Sequence, residues 1–369
     1  MKVLILGANG LCGTSLVPLI EDLFPDLELI LVDPDEESGP RIIRAAPKAD
    51  ELWHILPALG LKKGDAIIDL TTDLNKLDVI QVADTLGISV INATMCAEGS
   101  GSLSMVDVLD ERLHFAKHKW NAPHMAGCGM NPGNINALLG LLVTRFGKPV
   151  DVTQWEMDTT IPFKWDGEGF ATWSPSEFAS EWGDEATWEM DGRKVLWASG
   201  PPIDNIWKMP NGNFGTLCQH EELIKWAWKY DCKARYLYGY SPKAMDAIEK
   251  NIRDGFELPL CRKLKWRVPT GKDTIALQVE FEGGYAKGSF SFDNSDKRIP
   301  IGSNATSYLV ACGVCAALSI LQGGLPEGLN WPDDHGEDWI GFLMEENLCE
   351  IEVDSDLSPR MTAALPEEA

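Results

Sequence analysis

Five short apolar runs punctuate the first third of the chain, near 2–6, 28–32, 66–70, 88–92 and 123–128. Between them lie stretches with apolar residues at helical spacing, near 11–22, 48–59, 75–86 and 106–119. Continuous apolar runs suit strands buried on both faces, and their alternation with amphipathic helices predicts a parallel, doubly wound sheet. Beyond about residue 130 the pattern changes. Asn134 to Phe146 places Ile135, Leu138, Leu139, Leu142 and Val143 on one helical face. Strands are predicted at 150–160, 193–199, 234–240, 263–269 and 274–292, the last a hairpin through Gly283-Gly284. Helices are predicted at 219–229 and 242–253. The apolar stretch Ser307 to Leu321 is too short to span a bilayer, so 305–322 reads as a buried helix. The acidic, proline-containing stretch after Asp354 is expected to be disordered.

The first two apolar runs frame a motif. Lys2-Val-Leu-Ile-Leu6 leads into Gly7-Ala-Asn-Gly10-Leu-Cys-Gly13, and Leu29-Ile-Leu-Val32 ends in Asp33. This is the pattern of a βαβ unit that binds a dinucleotide. Gly7 allows the tight turn, Gly10 lets the backbone approach a pyrophosphate, and Gly13 lets the helix pack on the strand. Asn9 and Leu11 lie in the same turn, where helix N-terminal amides meet phosphate. Asp33 stands where a carboxylate accepts from a ribose 2′-hydroxyl and repels a 2′-phosphate, which favours NAD. Arg41 and Arg44 nearby keep NADP open. Thr71, Thr72 and Asp73 follow the third strand at the ligand-binding edge of such a sheet. The expected fold class is α/β. It comprises a Rossmann domain over 1–130, an α+β substrate domain over 131–304, and a C-terminal helical part over 305–350 that returns to the Rossmann domain.

Composition narrows the partners. The 369 residues carry a formal charge of −24, which argues against nucleic acid and fits a cationic substrate. Residues 151–200 hold eleven acids against three bases, and six of the fourteen tryptophans. Nine scattered cysteines and a first strand starting at Lys2 suit a cytoplasmic protein without an N-terminal signal. No membrane association is expected. Cys312-Gly-Val-Cys315 falls inside the apolar helix and reads as core thiols rather than a redox or zinc site. His114 and His118 have helical ligand spacing but no completing acid or cysteine, so no metal is expected.

A second motif, Gly127-Cys-Gly-Met-Asn131-Pro132-Gly133-Asn134, leaves the sheet at the edge where the nicotinamide half of a cofactor lies. Asn131 is the expected N-cap of the following helix, with Pro132 in its first turn. With this motif the chain resembles the saccharopine dehydrogenase superfamily, and within it bacterial homospermidine synthase. The likeness runs through Gly64 to Asp73, Met130 to Asn134, Glu156-Met-Asp-Thr-Thr160, Trp165-Asp-Gly-Glu-Gly-Phe170, Trp182-Gly183, His220-Glu-Glu222, Tyr240-Ser-Pro242 and Asn304-Ala-Thr306. Ser241 stands where histidine is usual, Trp173 is nearest to a family acid, and Glu98 is near another without aligning with it.

The resemblance implies a homodimeric, NAD-dependent enzyme of polyamine biosynthesis. Such an enzyme takes hydride from putrescine, exchanges the amine at the imine, and returns the hydride. The implied site residues are Glu156 and Asp158 for the distal ammonium, Trp165 for the iminium charge, and His220 for amine deprotonation, with Asn131 and Pro132 at the cofactor. On a regular strand Glu156 and Asp158 share one face. Trp173 and Trp182 are alternatives to Trp165. A reductive aminase resembling carboxyspermidine or saccharopine dehydrogenase is the second reading. An α-carboxylate substrate of that enzyme needs arginine or lysine, of which 151–200 offers Lys164, Arg193 and Lys194. A non-catalytic NAD-sensing protein is the third. On the first reading Glu156→Gln and Trp165→Leu impair turnover and leave NAD affinity nearly intact, measurable by amine analysis and cofactor titration.

Overall fold

The computed structural model describes residues 1–34, 41–72, 74–94, 119–183 and 187–357. Lys2–Leu6 (β1) is almost wholly buried because strands flank it on both edges and helices lie on both faces. The chain continues through α1 (Leu11–Leu23), β2 (Glu28–Asp33), β3 (Ile42–Arg44), α2 (Leu52–Ala58), β4 (Ala66–Asp69), α3 (Lys76–Thr85), β5 (Ser89–Asn92) and β6 (Pro123–Met125). Across the sheet the order is β3-β2-β1-β4-β5-β6, with every pair parallel. This is the order of a dinucleotide-binding doubly wound sheet. The predicted helix at 106–119 lies almost entirely outside the described residues.

After α4 (Asn134–Phe146) come β7 (Pro149–Asp158), α5 (Pro175–Gly183), β8 (Thr187–Asp191), β9 (Lys194–Ala198), β10 (Ile206–Lys208) and β11 (Phe214–Cys218). Then follow α6 (Glu221–Tyr230), β12 (Lys233–Tyr240), α7 (Pro242–Asp254), β13 (Lys272–Phe281), β14 (Gly284–Asp293), α8 (Ala305–Gly324), β15 (Gly328–Asn330), α9 (Gly336–Glu345) and β16 (Glu350–Ser355). The second sheet runs β10-β11-β12-β7-β13-β14-β16, with β12 and β7 parallel and the other neighbours on this path antiparallel.

The C-terminal segment does more than return a helix. β15 extends the first sheet beside β6, and β16 closes the edge of the second beside β14. The chain beyond Asp354 therefore stays in a strand to Ser355, where Glu-Ile-Glu-Val-Asp-Ser alternates with a period of two. The strand predicted at 263–269 does not form. Four bases crowd residues 262–267 and Trp266 is 82% exposed, so this stretch closes on itself in a turn bridging Leu264 and Arg267. Helix α8 has twenty residues, two more than predicted, and is long and apolar enough to cross a membrane by length and composition. It is instead mostly buried, packed on α1, β5 and β14, with Cys312 and Cys315 in the core.

Two contacts set the turn that joins the sheets. Gly133 has φ +138°, and a Cβ there meets the Gly129 carbonyl at 1.9 Å. On the other side, a Cβ at Gly313 of α8 meets the same carbonyl at 2.2 Å. Backbone at Gly129 is thus clamped from both sides by residues without side chains. Gly133→Ala is expected to lower stability by about 2 kcal/mol or more, through clash and left-handed strain together. Thermal unfolding of the variant measures this.

Candidate active site

Strands β7 and β12 lie side by side in register, pairing Gln154 with Tyr236, Glu156 with Tyr238 and Asp158 with Tyr240. Side chains alternate across a strand, so these six share one face, while Trp155 and Leu237 pack on the other. On the far side of β7, Asp273 of β13 stands opposite Asp158. Helix α5 lays Phe178 and Trp182 over this face. Trp182 meets Tyr238 at 5.6 Å and Phe178 meets Tyr240 at 6.0 Å, ring pairs worth about 0.5–1.5 kcal/mol each.

This face is one wall of a cavity of about 240 Å³ between the two sheets. Glu156, Tyr236 and Tyr238 form that wall. Cys12, Asp69 to Thr72, Ala93, Thr94 and Gly129 to Asn131 come from the first sheet's edge. Trp173, Ser174, Glu181, His220 and Glu221 close the side, with Thr306 and Val310 of α8. Tyr236 Oη donates to Glu156 Oε2 at 2.9 Å, and Thr94 Oγ1 donates to Glu221 Oε1 at 3.2 Å. His220 Nδ1 pairs with the Glu222 carboxylate.

The charges are unusual for a buried wall. Burial, and then the neighbouring Asp158, push the Glu156 carboxyl up to about 8, against the Tyr236 and Tyr238 hydroxyls and His220. Burial also raises Asp158, against the hydroxyls of Thr160, Thr172 and Tyr240. Burial, Glu156 and Asp158 hold Asp273 well above the usual carboxylate range. Burial alone pulls His220 down, but Glu222, with Glu181 and Glu221 behind it, outweighs burial and lifts the imidazole to about 9. His220 is therefore a paired cation at neutral pH. The ionised form of Glu156 is better matched to accepting a proton there. Burial pushes the Cys12 thiol up to about 11, which keeps it protonated and a poor nucleophile.

The glycine turn has the expected geometry. Gly7 takes φ +82°, and a Cβ on Gly13 meets the Gly7 carbonyl at 2.3 Å. At Gly10 the nearest protein atom stands 3.4 Å from such a Cβ, which leaves room on the ligand side. Asp33 Oδ2 accepts from the Asn9 amide at 2.9 Å, fixing the acid beside the turn. Arg41 is engaged by Glu21 at 2.6 Å. Asp69 Oδ1 accepts from the Thr71 amide and hydroxyl, and Lys76 Nζ donates to Asp69 Oδ2 at 3.0 Å, so Thr71 and Thr72 are presented by a buried ion pair. Asp73, Glu98, His114 and His118 lie outside the described residues.

The structure brings Glu156, His220, Asn131, Thr71 and Thr72 to one cavity. Of the glycine turn Cys12 lines the cavity, and Gly7, Asn9, Gly10, Leu11 and Gly13 do not; Asp33, Pro132 and Asp158 are likewise outside its lining. Two expectations change. Asn131 is not the helix N-cap: α4 begins after Gly133, whose amide is held by Asn136 Oδ1, and Asn131 Oδ1 accepts from Gln154 Nε2 at 2.7 Å. Trp165 is outside the cavity, because its indole donates to the Glu168 carbonyl and its ring stands behind Phe170, which itself backs Tyr240. Trp173 supplies the indole in its place. Glu156 and Asp158 are 3% and 0% exposed, so the pair faces inward rather than to solvent. Sequence reasoning missed Tyr236, Tyr238, Asp273, Glu181 and Lys76. The alternation Tyr236-Leu-Tyr238-Gly-Tyr240 was a legible sign, as was an acid in the apolar series Asp273, Ile275, Leu277, Val279.

These shifts fix the sign of a pH effect on the empty protein. Folded Glu156 keeps a proton that the unfolded chain has lost above about pH 4.5, so stability falls as pH rises toward about 8. His220 acts in the same direction, its contribution complete below about 6.5 and lost as pH rises through about 9. The melting temperature is expected to drop across this window, and Glu156→Gln to flatten its lower part. Scanning calorimetry of both proteins against pH is the check.

Residues 3–120 match the family model described as the saccharopine dehydrogenase NADP binding domain. No curated protein matches. Among solved structures, the chain is similar to the homospermidine synthase from Legionella pneumophila in complex with NAD, at 16% identity and TM-score 0.79 over 100% of this chain and 95% of that one. It is also similar to the saccharopine dehydrogenase (L-Glu forming) from Saccharomyces cerevisiae, at 13% identity and TM-score 0.58 over 96% of this chain and 100% of that one. At these identities the two structures establish the fold. The first sheet is a Rossmann sheet in an α/β protein, and the family match supports a nicotinamide cofactor there.

Proposed function

We propose that the chain is an NAD-dependent enzyme acting on a carboxylate-free diamine by homospermidine synthase-like chemistry. In this reading the dinucleotide lies along the glycine turn, with Asp33 toward the ribose and its reactive ring toward Asn131 and Thr71. The bound cofactor supplies the hydride acceptor. The remaining work falls to the cavity wall. Glu156, in its ionised form, takes the proton from the reacting ammonium. Trp173 faces the iminium charge, an interaction worth about 0.5–2 kcal/mol when water is excluded. Glu181 and Glu221 hold the distal ammonium, which fixes the reacting carbon in one geometry. His220, paired with Glu222, sets the local field instead of serving as the base.

One observation carries this reading. The described residues that line the cavity include Glu156, Glu181 and Glu221, besides Asp69 with its partner Lys76 behind it, and no lysine or arginine. A substrate bearing an α-carboxylate meets no cationic fork there, and such groups are bound by guanidinium or ammonium donors. That disfavours a reductive aminase of amino acids and favours a carboxylate-free amine. The cofactor preference follows from Asp33, whose carboxylate is fixed against the turn.

Incubation of the protein with putrescine and NAD⁺ tests the proposal. Homospermidine by mass spectrometry with no accumulating NADH is expected. NADH consumption with an oxo acid or aldehyde plus an amine points to the reductive aminase, and no amine chemistry in either assay overturns both. Glu156→Gln is expected to lower turnover by about 10²-fold or more. Trp173→Leu is expected to lower it by about tenfold. Both variants keep NAD affinity within about twofold, and Trp165→Leu leaves turnover close to wild type.

A further inference from the structure

Asp273 has no part in the chemistry derived above, yet it is fully buried among acids. It stands directly opposite Asp158 across the β7–β13 pair, on the same face. Its Oδ2 accepts from Thr306 Oγ1 at 2.6 Å. Its other oxygen, Oδ1, has no hydrogen-bond partner, and neither has Asp158 Oδ2, although both atoms are shut off from solvent. The first oxygen of Asp158 accepts from the Thr160 amide at 2.8 Å. Two facing carboxyls therefore each have one satisfied and one orphaned oxygen.

We infer that Asp158 and Asp273 share a single proton through these two orphaned oxygens and act as one buried acid pair behind Glu156, with Asp273 as the positioning residue. Two ionised carboxylates at facing positions of paired strands repel, while one acid and one carboxylate can bind each other by a charge-assisted hydrogen bond. The groups facing the pair from each packed element agree. They are Glu156 on β7, Tyr238 and Tyr240 on β12, Thr160 and Thr172 from the connecting loops, and Thr306 on α8. Among them are hydroxyls and one further acid, and no cation. His220, the cation across the cavity, acts on Glu156 and is already paired with Glu222. Burial raises the proton affinity of both aspartates, and at Asp273 the charges of Glu156 and then Asp158 add to it.

The inference rests on the reading of the cavity as an amine site and deepens it. The pair carries one negative charge when the cavity is empty. Entry of a diammonium favours a second charge, so one O–H bond of the acid breaks, both carboxyls become carboxylates, and the proton passes to buffer. The hydroxyl series Thr172, Tyr240 and Tyr238, with oxygens 3.0 and 3.1 Å apart, links the pair's surroundings to the cavity wall. Affinity for the amine then rises with pH.

Infrared titration of the substrate-free protein tests the pair directly. In the Glu156→Gln background, where the Glu156 carboxyl at about 8 no longer contributes, a protonated-carboxyl stretch is expected to persist above about pH 8, and to vanish there when Asp273→Asn is added, which retains an acceptor for Thr306 and lets Asp158 ionise alone. A stretch that Glu156→Gln abolishes, or that the added Asp273→Asn leaves in place, overturns the pair. Calorimetry of the wild-type protein with putrescine at about pH 9, in two buffers of different ionisation heat, gives an independent measure. Release of about one proton per putrescine is expected, and binding without release overturns the pair. If putrescine fails to bind while the infrared pattern appears as expected, the amine reading falls and the acid pair stands.

Discussion

The structure depends on a concentration of carboxyl groups in a place where charge is costly. Elsewhere in the core, some buried acids have a counter-charge. Asp69 is paired with Lys76, and Asp333 with Lys225 and Lys229. Glu156, Asp158 and Asp273 form no ion pair among the described residues. An isolated buried charge is expensive enough that a group takes up a proton instead. Three such groups on one sheet face lower stability unless something else is gained. On the proposed reading the wall is a site kept for a cationic ligand, whose binding supplies the missing charge.

Placement of that wall against the cofactor edge is a result of topology. The second sheet grows from α4, which begins at the turn leaving β6, so the first strand of the new sheet starts close to the old sheet's ligand edge. The C-terminal segment then ties both sheets together, contributing β15 to one and β16 to the other, with α8 between them. Thr306, in the first turn of α8, lines the cavity and also holds Asp273. Asn304 caps that same turn and reaches the Cys261 carbonyl at 2.9 Å. Cofactor edge, acid wall and returning helix are thus one connected arrangement, and a change in any of them moves the other two.

Much of the fold was legible because its signals are local. Parallel strands buried on both faces leave continuous apolar runs, and Gly7 and Gly13 each answer a steric demand within a few residues. Glu156 and Asp158 were legible because strand alternation puts i and i+2 together. What escaped was decided by distant partners. Nothing near Asp273 in sequence says that it faces Asp158, more than a hundred residues earlier. Trp165 and Trp173 are equally plausible indoles by composition, and only Phe170 packing between Trp165 and Tyr240 separates them. The strand expected at 263–269 failed because four bases crowd residues 262–267 and the stretch closes on itself between Leu264 and Arg267. A strand as short as β15 has little pattern of its own and pairs where the edge beside β6 was free.

Net charge was the weaker guide to the substrate, and the reason is physical. Acids on the surface are screened within about 8–10 Å at ordinary ionic strength, so a charge of −24 spread over it does little more than steer cations toward the molecule. The acids that discriminate are few and shielded from salt. On the proposed reading, Glu156 contributes selectivity because burial and Asp158 hold it near the point where a proton is easily gained or lost. On that reading a surface redesigned toward neutrality changes the rate at which an amine arrives, while the choice of amine stays with Glu156, Glu181 and Glu221. The two effects separate by ionic strength, since screening acts on the first and leaves the second nearly untouched.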